Sequence, residues 1–217
     1  GFVGTDSFTY TLDNGQGSDT ATVTIEVDAA VVAQGYFVDS ANGNDTTADF
    51  ETGAPYATIQ AAAQAAPTNA DIVVRPGNYT GSVTLKNGQR LLGSGSALVN
   101  AQGAVRPVLS GAVTLGDMNT LDFLRFEGTA GNAVDGDGQA GGIVTNCEFV
   151  NITQIGFGTG SAVTFEDASG RWIVSNNVMT NVAGLAIDIG TLETSEMVAL
   201  INNNEITDSG FSAISFV

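Results

Sequence analysis

The sequence predicts an all-β protein in which a parallel β-solenoid, preceded by a β-hairpin and a short helix, forms most of the chain. Two columns of residues keep step over four units. The first column contains apolar anchors 23, 30 and 27 residues apart, namely Phe126, Phe149, Met179 and Ile206. The second contains an alanine followed by a β-branched residue, namely Ala133-Val134, Ala162-Val163, Ala186-Ile187 and Ala213-Ile214. Short β segments that recur about every 20–30 residues are typical of solenoids, whose rungs stack about 4.8 Å apart.

The spacing between the two columns is regular. The alanine follows the anchor by 7 residues in three units and by 13 in the other, where we place an inserted loop at residues 154–160. Asparagines also recur before the anchors, at Asn146, Asn176 and Asn203 and at Asn177 and Asn204. Stacked amides can hydrogen-bond from rung to rung, which favours a structural ladder. Sugar binding by these asparagines is the alternative.

Composition limits the possible functions. The chain has 217 residues, 28 glycines and a net charge of −17, although only 13% of its residues are charged. This combination favours a β-rich repeat protein that is secreted or at the cell surface. The acidic balance argues against binding to nucleic acid or to anionic membranes, and it favours divalent cations or solubility in salt.

Two residue types narrow the chemistry further. The chain has no histidine, which excludes His-based catalytic triads and His metal sites. Its single cysteine, Cys147, shares a column with Leu124, so we predict a buried apolar filler. No run of 18 apolar residues indicates a membrane span.

Residues 1–28 are predicted to form a hairpin. Apolar residues alternate on two strands, at Phe8, Tyr10 and Leu12 and at Ala21, Val23, Ile25 and Val27, around a turn at residues 13–17. The run GFVGTDSFTYTLDNGQGSDTATVTIEV resembles the closing strands of bacterial immunoglobulin-like or cadherin-like repeat modules. The resemblance implies the C-terminal part of a β-sandwich whose earlier strands would precede Gly1. The alternative is a true terminus that pairs with a neighbouring chain.

A linker at residues 29–35 leads to a strand at residues 36–39 and an acidic loop. In this loop Asp39, Asp45 and Asp49 are candidate calcium ligands, because carboxylate oxygens suit this ion. The alternative is a series of Asx turns. Residues 58–66 then predict a helix with Thr58 as N-cap and Pro67 after its end. Such a helix would cover the open edge and apolar interior of the first rung.

Further strands are predicted at residues 71–75, 82–85 and 90–93, and residues 98–115 supply another rung of unassigned register. The runs YFVDSANGND, PYATIQAAAQAA and DIVVRPGNYTGSVTLKNGQRLLGSG resemble the N-terminal cap of right-handed parallel β-helix proteins of the pectin-lyase-like superfamily. With the repeats, this resemblance covers residues 36–217. The superfamily includes polysaccharide lyases, polygalacturonases, phage tailspikes and adhesins, so the resemblance implies the fold more narrowly than the function. Because the sequence ends inside a predicted strand, we expect further rungs or a partner at that end.

Candidate catalytic residues lie at outward positions. If the β-branched residues point inward, Asp135, Thr164, Asp188 and Ser215 form one exposed column. Asp135 and Asp188 are then two rungs, about 9.6 Å, apart. Paired carboxylates of inverting glycosidases are about 6.5–9.5 Å apart. An ordinary solvated face is the alternative.

Three other residues are candidates. The resemblance to lyases implies a basic proton abstractor and calcium, and Arg125 is the best placed basic residue. The alternative, which we favour, is a surface ion pair between Arg125 and Glu148. Thr164 and Trp172 are candidate sugar contacts, with core packing as the alternative for Trp172. The motifs of polygalacturonases and pectate lyases are absent.

We therefore predict a structural or adhesive module, with other subunits or further domains of the same polypeptide as partners. The alternatives are a polysaccharide lyase or glycoside hydrolase acting on an acidic polysaccharide, and a calcium-dependent self-assembling module.

Overall fold

The computed structural model describes residues 4–27, 35–98, 105–156, 158–190 and 196–216. The chain divides into two compact units, Gly1–Ala33 and Gln34–Val217. Most of the predicted linker, residues 29–34, lies outside the described residues, as does Val217. No helix among the described residues has the length and apolar character that a membrane crossing requires.

The first unit is the predicted hairpin. Strands β1 (Gly4–Asp13) and β2 (Ser18–Val27) pair in antiparallel register, with Phe8 opposite Val23. Directly opposed residues share a face, so one face carries the apolar side chains together with Asp6 and Asp19, and the other carries mainly Ser and Thr. Four large apolar side chains of this face are exposed, namely Phe8, Tyr10, Leu12 and Ile25.

The second unit begins with β3 (Tyr36–Val38) and α1 (Ile59–Ala65) and continues as six rungs of three strands each. Rungs 1 to 3 consist of β4 (Asp71–Val74), β5 (Asn78–Tyr79), β6 (Val83–Thr84), β7 (Arg90–Gly93), β8 (Val108–Leu109), β9 (Val113–Thr114), β10 (Asn119–Asp122), β11 (Arg125–Glu127) and β12 (Val134–Asp135). Rungs 4 to 6 consist of β13 (Ala140–Thr145), β14 (Glu148–Ile152), β15 (Val163–Phe165), β16 (Ser169–Ser175), β17 (Val178–Val182), β18 (Ile187–Ile189), β19 (Met197–Asn202), β20 (Glu205–Ser209) and β21 (Ile214–Phe216).

The rungs stack into three parallel sheets, which confirms the predicted solenoid. Sheet 1 contains β3 and the first strand of every rung, sheet 2 the second strands and sheet 3 the third strands. From the first rung to the last, the chain makes about five turns. Each sheet presents one face to a single core that runs through the unit.

Both predicted columns are confirmed by the strand register. The anchors pair in sequence along sheet 2, and Tyr79 and Leu109 extend their column into the first two rungs. The rings of Phe126 and Phe149 stack with centroids 4.9 Å apart. The β-branched residues pair along sheet 3, where Val83 and Val113 extend their column. The rung that the sequence left without a register is thereby assigned, because its strands β8 and β9 pair with the strands of both neighbouring rungs.

The asparagine ladder is present at the turn between sheets 1 and 2. Asn146, Asn176 and Asn203 have positive φ angles of 50°, 57° and 52°, a conformation that asparagine tolerates better than most residues. Asn177 is fully buried, and its Nδ2 donates to Asn204 Oδ1 at 3.0 Å. This burial leaves no surface of Asn177 for a sugar.

Helix α1 covers the first rung, as predicted. Thr58 Oγ1 accepts a hydrogen bond from the backbone N–H of Ala61 at 3.2 Å and so acts as the N-cap. The buried face of α1 packs against β3, β4 and β6. At its C-terminal end, Lys86 Nζ donates to the carbonyl oxygens of Gln64 and Ala66, where a cation also favours the helix dipole.

Cys147 is the predicted buried filler, and its burial predicts an inert thiol. Burial raises the pKa of the Cys147 thiol to about 12, so almost no thiolate forms at neutral pH. We expect no reaction of the folded protein with a disulfide reagent at mildly alkaline pH, and one equivalent of reaction in denaturant. Rapid stoichiometric reaction of the folded protein would contradict this position of the side chain.

Candidate functional site

The predicted outward column exists on sheet 3. Asp135 pairs with Thr164, Thr164 with Asp188 and Asp188 with Ser215, so Asp135 and Asp188 are two rungs apart. The expectation that this column is exposed is wrong for its centre, because Thr164 is 2% and Asp188 8% exposed. Neighbouring side chains cover these two residues, and Thr164 Oγ1 donates to Asp137 Oδ1 at 3.1 Å.

Asp135, Asp137, Glu166 and Asp188 form an acidic cluster beside this column. The backbone N–H of Glu166 donates to Asp137 Oδ1 at 2.7 Å, and Glu166 and Asp188 line the same cleft. Sequence reasoning missed Glu166. The signal was strand alternation, since Glu166 lies two residues after Thr164 and alternate residues share a face.

Burial and nearby negative charge disfavour the ionisation of three carboxyl groups in the acidic cluster, those of Asp137, Glu166 and Asp188. Burial, followed by repulsion from Asp135 and Glu166, raises the pKa of Asp137. Burial and repulsion from Asp137 raise the pKa of Asp188. Burial, followed by repulsion from Asp188, Asp167 and Asp135, raises the pKa of Glu166. Asp137 and Glu166 remain in contact with water, which screens this repulsion, so we expect the effects to be modest.

An open cleft of about 320 Å³ borders the acidic cluster. Its lining includes the carboxyl-bearing residues Glu166 and Asp188 as well as Leu185, Phe211 and Ser212. The ring of Phe211 is 60% exposed. The cleft therefore combines two carboxyl groups with an aromatic face.

The acidic cluster predicts an unusual dependence of stability on pH. A carboxyl group whose pKa is higher in the folded than in the unfolded protein lowers the free energy of unfolding when it is ionised. This loss of stability is absent below the pKa of the unfolded state and develops as the pH rises through the pKa of the folded state. We therefore expect Asp188→Asn to raise the melting temperature at pH 7, with the gain disappearing below about pH 4. Thermal denaturation followed by circular dichroism at several pH values measures this difference.

Asp39→Asn is the matched control, because we expect it to change the melting temperature in the opposite direction. Burial opposes ionisation of Asp39, but hydrogen bonds from Asn42, Ala41 and Arg75 outweigh it and lower the pKa of Asp39. Its stabilising contribution is present above the unfolded pKa and is lost as the pH falls through the folded pKa. Asp39→Asn should therefore lower the melting temperature at pH 7. An equal decrease for Asp188→Asn would contradict mutual repulsion in the acidic cluster.

Arg125 lies on sheet 2, whereas the acidic cluster lies on sheet 3. Its guanidinium binds Glu127 at 3.0 Å and Glu148 at 2.8 Å, which confirms the ion pair between Arg125 and Glu148. These hydrogen bonds raise the pKa of Arg125 and hold its proton more firmly. Arg125 is therefore poorly suited to proton abstraction.

Trp172 lies in the core and not at a sugar-binding surface. Its ring is fully buried and stacks on Phe165 with centroids 3.9 Å apart. Its Nε1 donates to the Ser169 carbonyl at 2.9 Å, which satisfies the one polar atom of the indole. Of the two candidate sugar contacts, neither Trp172 nor Thr164 presents a free surface.

The three candidate calcium ligands already accept hydrogen bonds from other groups of the chain. Asp39 accepts hydrogen bonds from Ala41 and Asn42 and forms an ion pair with Arg75 at 3.2 Å. Asp45 accepts three hydrogen bonds from residues 57 and 58, and Asp49 accepts one from Thr52. Within the described residues, no three Asp, Glu, Cys or His side chains are grouped to hold a metal ion. Calcium binding by this loop stays a prediction.

No protein-family profile, curated protein or solved structure matches the chain.

Proposed function

We propose that the chain is a structural or adhesive module of a secreted or cell-surface protein. In this proposal the hairpin closes an immunoglobulin-like or cadherin-like module, and the second unit is a β-helix of the pectin-lyase-like superfamily. We propose a right-handed coil, as expected for about 98% of parallel crossovers. The partners are other subunits or further domains of the same polypeptide.

The observation that carries this proposal is the uninterrupted core of the second unit. Within each column, the residue of one rung packs on the residue of the following rung, and each of the three sheets runs through all six rungs. Such an element is stiff along its axis because each rung is hydrogen-bonded to its neighbours.

Surface charge supports an extracellular role. Five of the six basic side chains bind groups of the same chain, namely Arg75, Lys86, Arg90, Arg106 and Arg125. The remaining acidic side chains dominate the surface and keep the chain soluble.

The cleft beside the acidic cluster supports a glycoside hydrolase as the second candidate. Glu166 would act as the acid, since its pKa is raised, and Asp188 would act as the carboxylate partner. Two carboxyl groups beside one cleft are the arrangement that glycosidases use. The negative charge of the cluster also disfavours an acidic polysaccharide and suits a neutral one.

Incubation with neutral and acidic polysaccharides separates the two candidates. The structural proposal predicts no new reducing ends and no ultraviolet absorbance from unsaturated products. A hydrolase at the cleft predicts new reducing ends that disappear in Glu166→Gln and Asp188→Asn but persist in Glu205→Gln, an exposed glutamate on β20. That second pattern would overturn a purely structural role.

A further inference from the structure

A second cleft lies at the N-terminal cap of the solenoid, far along the chain from the acidic cluster. This cap cleft has a volume of about 530 Å³, within the range of about 300–1,000 Å³ that is typical of small-ligand sites. It is lined by Tyr36, Phe50, Pro67, Asn69, Asp71 and Arg90, among others. All of these residues belong to the second unit.

The lining of the cap cleft includes two aromatic residues, Tyr36 and Phe50. The rings of Tyr36 and Phe50 lie 4.9 Å apart, and Tyr56 stacks on Tyr36 at 6.4 Å. A hydrogen bond from the Gly35 N–H to the Phe50 carbonyl, at 3.1 Å, fixes the position of the Phe50 backbone. Its side chain is nevertheless 41% exposed. The cap thus presents a positioned aromatic face to solvent.

The lining of the cap cleft also carries a paired acid and base, Asp71 and Arg90. Arg90 Nε and Nη2 donate to the two carboxylate oxygens of Asp71 at 2.5 and 2.6 Å. This fork–fork geometry fixes both side chains, and each Asp71 oxygen keeps a free lone pair. Among the described residues, Arg90 Nη1 has no hydrogen-bond partner. A fixed donor and fixed acceptors therefore lie side by side, with no net charge.

This combination of aromatic rings and a paired acid and base matches the chemistry of a neutral sugar ring. A pyranose has an apolar C–H face that packs on an aromatic ring, and adjacent hydroxyl groups that each donate and accept hydrogen bonds. An acidic sugar fits less well, because the charge of Arg90 is already neutralised by Asp71 and the chain as a whole is strongly acidic.

We propose that the cap cleft binds a neutral pyranose residue of a glycan, with its apolar face on Phe50 and two of its hydroxyl groups on Asp71 and Arg90. This proposal deepens the adhesive part of the function proposed above and is independent of the acidic cluster. It also places sugar contacts at residues that differ from Thr164 and Trp172.

Saturation-transfer NMR and calorimetric titration of the intact chain test the proposal. The probes are cello-, manno- and galacto-oligosaccharides, with an oligogalacturonate for comparison. We expect at least one neutral probe to bind, and Phe50→Ala to weaken its binding at least about tenfold. Arg90→Lys should also weaken binding, because lysine lacks the planar fork. Circular dichroism of each variant shows whether its fold is unchanged.

Phe211→Ala is the matched control, since it removes an exposed aromatic ring from the cleft beside the acidic cluster. Binding that is lost in Phe50→Ala and kept in Phe211→Ala supports the cap cleft. Binding that is lost only in Phe211→Ala, or binding of none of the neutral probes, overturns it. If none of the neutral probes binds, the proposal of a stiff structural module is unaffected, because it does not depend on sugar binding.

Discussion

Replacement of Asn177 by alanine is expected to lower the free energy of unfolding by about 3 kcal/mol. Its Oδ1 accepts a hydrogen bond from the Cys147 N–H at 2.9 Å, and its Nδ2 donates to the Val144 carbonyl at 3.0 Å. Both partners belong to buried residues of the preceding rung. Alanine would leave the Cys147 N–H without its side-chain partner in the core, at a cost of about 1–3 kcal/mol, and would remove the hydrogen bond to the Val144 carbonyl, at about 0.5–1.5 kcal/mol.

Urea denaturation followed by circular dichroism measures this loss. Asn202→Ala is the matched control, because Asn202 is an exposed asparagine of β19 and should tolerate alanine within about 0.5 kcal/mol. If both variants had the same stability, the asparagine ladder would not hold successive rungs together.

Replacement of Trp172 by alanine is expected to cost about 3–5 kcal/mol, a large part of the stability of a typical domain. The indole fills space that two glycines leave open. A Cβ atom at Gly142 would lie 2.6 Å from the Trp172 ring, and one at Gly136 would lie 2.8 Å from it. Because the rungs on either side are hydrogen-bonded in fixed register, they cannot collapse to fill the resulting cavity.

The same denaturation measurement applies to Trp172, with Trp172→Phe as control. Phenylalanine keeps the stack on Phe165 and should retain a substantial part of the stability. A small effect of Trp172→Ala, below about 1 kcal/mol, would contradict the buried position of the ring.

The inward face of the solenoid was predictable because its pattern repeats. An anchor such as Phe149 must occupy the same place in each rung, so spacing alone revealed the columns. The strands β5, β8 and β9 were harder to assign, since each has only two residues and no alternation can be counted.

The outward face was less predictable because its burial depends on what folds over it. Strand alternation placed Asp135, Thr164 and Asp188 in one column, but it could not show that Asp137 and Glu166 cover the centre of that column. Similarly, the acidic loop suggested oxygen ligands at Asp39 and Asp45. The donors that bind these carboxylates come from residues as distant as Arg75, which sequence spacing does not bring near.

The central claim is that six rungs follow one another in continuous register. Double electron–electron resonance, which measures the distance between two spin labels, tests it directly. The labels replace Thr84 in the first rung and Ser215 in the last, which belong to one outward column of sheet 3, in a background where Cys147 is alanine. Five strand spacings separate the backbones of these two positions by about 24 Å. We therefore predict a narrow distribution of label-to-label distances around this value. A broad distribution, or a mean far from five strand spacings, would contradict the stacked solenoid.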